Sequence, residues 1–182
     1  MAYLAKQASV KEVVGIDGIR KALEEFAQEQ PKLEVSPQEQ VGKYERFVGK
    51  KITLLKGDLF EFDELAAGGR FGAIFDRASM VAIQPALRKD YVSVMRNVIA
   101  PGGKILLVTI ERKGGDEEAV NKGPPFSLSE QMVRDLYEGE DWVESISLLE
   151  QEDMFVKEPE QKARYEGLDS LMELTFLIQA KA

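Results

Sequence analysis

The sequence predicts a doubly wound α/β domain: a mostly parallel sheet with helices on both faces, closed at its C-terminal end by an antiparallel pair of strands. Three observations carry this expectation. Short apolar runs, two of them closed by an acid, alternate with helical patterns, and such alternation implies right-handed crossovers between parallel strands. The strongest strand signal, Lys104 to Ile110 around Ile105-Leu106-Leu107-Val108, sits inside that alternation. Two further strands then follow one another with no clear helix between them, which suggests the antiparallel pair.

The elements follow in order. Met1, Leu4, Ala5 and Ala8 recur at helical spacing and predict the end of a helix. Glu12-Val13-Val14-Gly15-Ile16-Asp17 is an apolar run closed by an acid, the pattern of a buried strand. Ile19, Leu23 and Phe26 give one face of an amphipathic helix that ends before Pro31. The polar stretch from Lys32 to Lys51, with Pro37, Gly42 and Gly49, predicts an exposed and partly helical insertion. Ile52 to Phe60 is the next strand, with a turn at Ala66-Ala67-Gly68-Gly69, and Phe71 to Asp76 is a third. Tyr91, Met95 and Val98 form a helix face, with Val92 and Ile99 beside it, and Pro101-Gly102-Gly103 turns the chain into the strand from Lys104. A loop opens at Gly114-Gly115-Asp116 and continues to Gly123-Pro124-Pro125. Ser127 and Glu130 have capping-box spacing ahead of a helix whose buried side carries Met132, Val133 and Leu136. The closing strands are Trp142 to Leu149 and Leu171 to Ala180, separated by the charged segment Glu150 to Glu166. No internal repeat or domain boundary is visible, so residues 1–182 read as a single domain.

Composition narrows the function. Of 182 residues, 24 are Lys or Arg and 32 are Asp or Glu, and the resulting charge of −8 opposes binding to a phosphate backbone. A 44% hydrophobic content suffices for a core, while no apolar stretch approaches the ~18 residues of a membrane span. Neither Cys nor His is present, which removes disulfides, zinc fingers and every Ser-His or Cys-His triad, and fits a reducing, cytoplasmic setting. No G-x-G-x-x-G segment follows any strand and no P-loop occurs, so an NAD-dependent oxidoreductase or a phosphate-cradling kinase lacks its central device.

Open α/β sheets bind ligands beyond the carboxyl ends of their strands, which singles out Asp17, Asp58, Asp76, Arg77 and Glu111. Asp17 offers two adjacent acceptors that suit ribose hydroxyls, or serves as a helix cap. Asp58, in Lys56-Gly57-Asp58-Leu59-Phe60, could accept from an adenine amino group while Leu59 and Phe60 cover the ring, or is an ordinary loop acid. The pair Asp76-Arg77 directly after a buried strand is either a structural salt bridge or a site at which Arg77 offers its fork of donors to a carboxylate. Gly123-Pro124-Pro125-Phe126 is a rigid loop that could wall a site or simply lead into a helix.

Val13-Val14-Gly15-Ile16-Asp17, Asp58-Leu59-Phe60, Phe75-Asp76-Arg77-Ala78 with Val81-Ala82-Ile83-Gln84-Pro85, Gly123-Pro124-Pro125-Phe126 and Gly167-Leu168-Asp169 occur in a characteristic order. Together they resemble the thiopurine S-methyltransferase family of class I, Rossmann-like S-adenosylmethionine-dependent methyltransferases, over nearly the whole chain. The resemblance implies S-adenosyl-L-methionine as cofactor, with Asp17 on its ribose and Asp58 and Leu59 at its adenine. It places Arg77 in the active site, near the cofactor's methionine end and the acceptor. It points to Pro125 and Phe126 as acceptor walls and to Lys162 or Arg164 as a second basic residue. The acceptor it implies is a small thiol or a thiopurine-like molecule, with neither nucleic acid nor membrane as partner. Such chemistry suits a chain without His or Cys, because aligning donor and acceptor for in-line displacement itself contributes roughly 7–11 kcal/mol. The resemblance also implies that the family's N-terminal arm, first strand and Gly-containing loop are missing. Two strand edges would then face an empty slot, which favours self-association. The alternative to an enzyme is a non-catalytic methyltransferase-like protein that borrows a strand from a partner.

Overall fold

A computed structural model describes all 182 residues, Met1–Ala182. They divide into two compact units, Met1–Gly69 and Arg70–Ala182, each built on its own four-stranded sheet. No helix is long and apolar enough to cross a membrane.

The first unit runs α1 (Ala2–Ala5), β1 (Val13–Asp17), α2 (Arg20–Glu29), β2 (Ser36–Val41), β3 (Tyr44–Gly49), β4 (Ile52–Lys56) and α3 (Glu64–Ala67). The strand order is β1-β4-β3-β2, with β1 parallel to β4 and β3 antiparallel to both of its neighbours. Leu23 of α2 packs with Ala5, Leu33, Phe47, Ile52 and Leu54, so the helix stripe and the strand runs bury one another. The stretch from Lys32 to Lys51 differs from expectation: apart from a 3-10 turn at Pro31–Leu33 it is a hairpin, not a partly helical insertion. Tyr44 and Phe47 are buried in β3, while β2 is the exposed outer strand, so polar composition marks an edge rather than a loop. Val41 and Tyr44 pair across a two-residue turn in which Gly42 takes the left-handed conformation, φ +56°.

The second unit runs β5 (Phe71–Arg77), α4 (Arg88–Val98), β6 (Ile99–Lys113), α5 (Glu117–Asn121), α6 (Glu130–Tyr137), β7 (Val143–Asp153), α7 (Met154–Lys157) and β8 (Ser170–Ala180). Its order is β5-β6-β8-β7, with β5 parallel to β6 and β8 antiparallel to β6 and β7, the expected closing pair. The class is α/β, with parallel pairing confined to β1–β4 and β5–β6. The hairpin β2–β3 adds the antiparallel partners that the sequence pattern did not reveal. β1 and β5 are each an outer strand of their sheet. Tyr91, Met95 and Val98 of α4 are buried as their spacing predicts. Helix α6 differs in detail, since its cap is Ser129, whose Oγ accepts from the Met132 N–H at 3.3 Å. Ser127 instead accepts the Arg112 N–H at 3.1 Å, because Leu128 still pairs with the β6 backbone. Val133 is buried as expected, together with Tyr137, whereas Met132 is exposed and Leu136 half-buried.

The Asp76-Arg77 salt bridge does not form, for successive strand residues point to opposite faces. Asp76 is 3% exposed, accepting from the Met80 N–H at 3.2 Å and the Tyr91 hydroxyl at 2.6 Å. Burial pushes its carboxyl above the usual carboxylate range, against the smaller opposing effect of these hydrogen bonds. Native Asp76 therefore binds a proton more readily than unfolded Asp76, and its contribution to stability rises as pH falls through the raised value. Asp76→Asn avoids burying a charge at neutral pH. Its melting temperature relative to the unaltered protein should be highest near pH 7 and decline steadily towards pH 4, as followed by thermal unfolding across that range.

Candidate functional site

In the first unit the parallel pairing of β1 with β4 sets Asp17 opposite Lys56. The Gly57 N–H then donates to the Asp17 carbonyl at 3.1 Å, which brings the Asp17 and Asp58 loops to one end of the sheet. Asp17 Oδ1 accepts from the Ile19 N–H at 2.8 Å, and Asp58 Oδ1 accepts from the Phe60 N–H at 2.9 Å, capping a 3-10 turn at Leu59–Glu61. Each carboxylate thus spends one oxygen on its own loop and keeps Oδ2 for something else. The Tyr44 hydroxyl donates to the Asp58 carbonyl at 2.9 Å, and burial beside Glu61, Asp63 and Asp58 keeps it protonated by raising its pKa. A cavity of about 450 Å³ opens against Gly18, Lys56, Gly57, Asp58, Leu59 and Phe60. A Cβ at Gly57 would lie 2.2 Å from the Tyr44 ring, so only glycine lets this loop lie down and form the cradle.

The second unit holds its own cavity, of about 450 Å³. Arg77 and Ala78 at the end of β5, Val81 and Ala82 in the following 3-10 turn, and Val108 and Ile110 of β6 form one side. Pro124, Pro125, Arg164, Tyr165 and Glu173 complete it. Arg77 Nη2 reaches Glu173 Oε2 at 3.4 Å, the ion pair that replaces the one expected with Asp76. The Phe126 N–H donates to the Val81 carbonyl at 2.7 Å, which fastens the Gly-Pro-Pro-Phe loop to the turn after β5. Two buried arginines hold the same loop from behind. Arg112 is 6% exposed and donates to the Pro125 carbonyl at 3.2 Å and the Ala119 carbonyl at 2.8 Å, with its guanidinium 5.1 Å over the Tyr165 ring. Arg88 is 3% exposed and reaches the Phe126 carbonyl at 3.4 Å. Burial lowers the pKa of both guanidiniums from the usual value.

With this geometry in hand, the chain matches the family described as Thiopurine S-methyltransferase (TPMT) along residues 1–181. It belongs to that family. A probable thiopurine S-methyltransferase of Danio rerio is 34% identical over 173 residues, covering 93% of this chain and 69% of the relative. A thiopurine S-methyltransferase of Aliivibrio salmonicida is 35% identical over 147 residues, covering 75% of this chain and 64% of the relative. The match with a further such protein, of Vibrio atlanticus, covers 61% of that relative, so the chain spans roughly two thirds of the length of these proteins. Among solved structures, an arsenic (III) S-adenosylmethionine methyltransferase from Chlamydomonas reinhardtii aligns with a TM-score of 0.62 at 16% identity, covering 95% of this chain and 57% of that one. The N-methyltransferase NodS of Bradyrhizobium japonicum, in complex with S-adenosylhomocysteine, aligns with a TM-score of 0.56 at 13% identity, covering 100% and 73%. Likeness at these identities is one of fold, the class I methyltransferase fold.

Within this family member, the two cavities sort the residues that sequence reasoning selected. Asp58 and Leu59 line the cradle of the first unit; Asp17 is not among its walls but ends β1 next to Gly18, which is. Arg77, Pro125 and Arg164 line the cavity of the second. Phe126 is not among its walls: the ring lies against Gly123, where a Cβ would sit 2.2 Å away. Lys162 is not there either, its ammonium lying 5.8 Å from the Phe155 ring centroid. Glu111 pairs with Lys113 at 3.0 Å. Sequence reasoning missed Glu173 and Arg112, which stand inside long strands, and Tyr165, which follows the 3-10 segment Pro159–Ala163; at these places charge and aromatic content carry no motif. Arg112→Met should remove both carbonyl ties at once. The expected result is a stability loss of about 2–4 kcal/mol in urea unfolding, with faster proteolysis between residues 114 and 126 in the folded protein.

Proposed function

We propose that this chain is an S-adenosylmethionine-dependent methyltransferase acting on a small sulfur acceptor, a thiol or a thiopurine-like molecule. The observation that carries the reading is the β1–β4 register, which gathers Asp17, Gly18, Gly57 and Asp58 at the carboxyl end of two parallel strands. That is where open α/β sheets receive nucleotides. The donor set fits such a cofactor. Oδ2 of Asp17 suits the ribose hydroxyls, Asp58 and the Leu59 backbone suit the adenine edge, and Leu59 and Phe60 supply apolar cover beside a loop that tolerates no Cβ at Gly57. When bound, the cofactor supplies an electrophilic methyl on a sulfonium.

The cavity of the second unit is assigned to the acceptor, and both units together to one methyltransferase domain. Its aliphatic and proline walls exclude water around a soft sulfur nucleophile, and Arg77 stabilises negative charge on the acceptor. A thiol acceptor gives up its proton to water and binds as the thiolate, the reactive form, so the transfer itself needs no proton relay from the chain. Arg164 is the second cation of the site. A second reading draws on the outer positions of β1 and β5. Each edge could accept a strand from another chain, including a second copy, in a methyltransferase-like protein that binds partners without transferring methyl groups.

Calorimetric titration with S-adenosylhomocysteine separates the two. Saturable binding should appear and weaken about 10- to 100-fold in Asp17→Asn, which keeps the oxygen that holds Ile19 and so leaves the melting temperature unchanged. Absence of binding in the unaltered protein would favour the partner-binding reading. In an assay of thiol methylation, Arg77→Ala should lower turnover about tenfold or more with little loss of stability, since the Arg77 side chain is largely exposed and its ion pair with Glu173 is long, at 3.4 Å.

A further inference from the structure

The acceptor cavity carries one carboxylate on its walls, Glu173, and two cations, Arg77 and Arg164; the remaining walls are aliphatic, proline or tyrosine. Glu173 sits on β8, which is paired on both sides, opposite Ile110 of β6 and Glu152 of β7. Its side chain is 21% exposed, whereas that of Arg77, on the outer strand β5, is 61% exposed. The carboxylate is therefore the fixed member of the pair and the guanidinium the freer one. Glu152, its neighbour across the strands, is tied to Lys157, whose ammonium also feels the charge of Glu173 from outside the cavity; on the cavity wall the cation paired with Glu173 is Arg77. Arg164 leans on the Tyr165 ring at 5.6 Å.

We propose that Glu173 sets the charge preference of this cavity by competing with an anionic acceptor for the Arg77 guanidinium. The inference rests on reading the cavity as the acceptor site and concerns which charge state of a small ligand that cavity prefers. A neutral ligand leaves the Arg77–Glu173 pair in place. An anionic one must take Arg77 from Glu173 and then lie close to the released carboxylate, so Glu173 moderates an attraction that Arg77 and Arg164 would otherwise exert at full strength. Glu173 acts on selection and does not touch the transferred methyl.

Benzoate and benzamide share a shape and differ in charge, and titration of each into the full chain measures the preference without turnover. Glu173→Gln should bind benzoate about 3- to 5-fold more tightly, with benzamide changed by less than about twofold. Glu173→Asp, which keeps the charge, should stay close to the unaltered ratio of the two affinities, and Arg77→Met should abolish the gain made by Glu173→Gln. Equal changes for both probes, or no tightening for benzoate in folded Glu173→Gln, would overturn the inference while leaving the cavity as an acceptor site. Failure of both probes to bind, with S-adenosylhomocysteine still binding, would overturn the inference and the acceptor assignment together. A selective gain for benzoate in a protein that transfers no methyl group would uphold the charge preference set by Glu173 and overturn the reading of the cavity as an acceptor site.

Discussion

Asp76 lies buried at the carboxyl end of β5, and the cavity of the second unit hangs from the hydrogen bonds that make this burial tolerable. A carboxylate removed from water is costly unless its oxygens are paired. Here the Met80 N–H and the Tyr91 hydroxyl pair them, which fixes the turn at Met80–Ala82 against helix α4. From that turn the Val81 carbonyl takes the Phe126 N–H, and the Leu128 N–H reaches the Ile110 carbonyl, so the Gly-Pro-Pro-Phe loop is pinned at two points. Strand alternation does the rest. With Asp76 directed into the core, Arg77 must point the other way, and Ala78 accepts a left-handed conformation, φ +66°, as the chain leaves the strand.

The arginines of the second unit divide into two kinds. Arg88 and Arg112 are buried and spend their donors on main-chain carbonyls, so they act as struts. A guanidinium does not shed its proton even when burial lowers its pKa, and its planar fork can bind several acceptors at once. Arg77 and Arg164 stay solvated at the cavity wall, where changing partners costs little. Rigid charge behind the loop and re-partnerable charge in front of it is an arrangement suited to binding small charged molecules without moving the scaffold.

Much of this was legible in the chain. The acid-closed runs at Asp17 and Asp76, the strand around Lys104 to Ile110, the α4 face and the closing pair all appear, although β6 already begins at Ile99, through the expected turn at Pro101-Gly102-Gly103, and β7 runs on to Asp153. The hairpin of Ser36–Val41 and Tyr44–Gly49 was not legible, because Tyr44 and Phe47 are spaced by three and its outer strand is polar on both sides. Of two serines near one helix start, only backbone pairing decides the cap: the Leu128–Ile110 hydrogen bond holds the chain to β6 for one residue too long for Ser127 to serve. Between Lys162 and Arg164 the choice turns on a 3-10 segment, Pro159–Ala163, whose phase composition does not report. Arg112 is hardest to foresee. A charged residue near the end of a long strand reads as solvated until the loop from Gly114 to Phe126 folds back over it.

Asp17 and Asp58 show that a carboxylate holding its own loop can still present an oxygen for the ligand role proposed for it. A carboxylate in an Asx turn engages one oxygen with the N–H two residues ahead, and this alone holds the side chain in a single orientation. The second oxygen is then presented outward at no further conformational cost, so the entropy of ordering the side chain is spent in folding rather than in binding. Where two such turns follow adjacent parallel strands, register fixes the spacing between the two outward acceptors, and the Gly57 loop between them keeps the ground clear. Under the proposed function, the same local structure that explains each acid by itself preorganises the pair as hydrogen-bond acceptors for the cofactor.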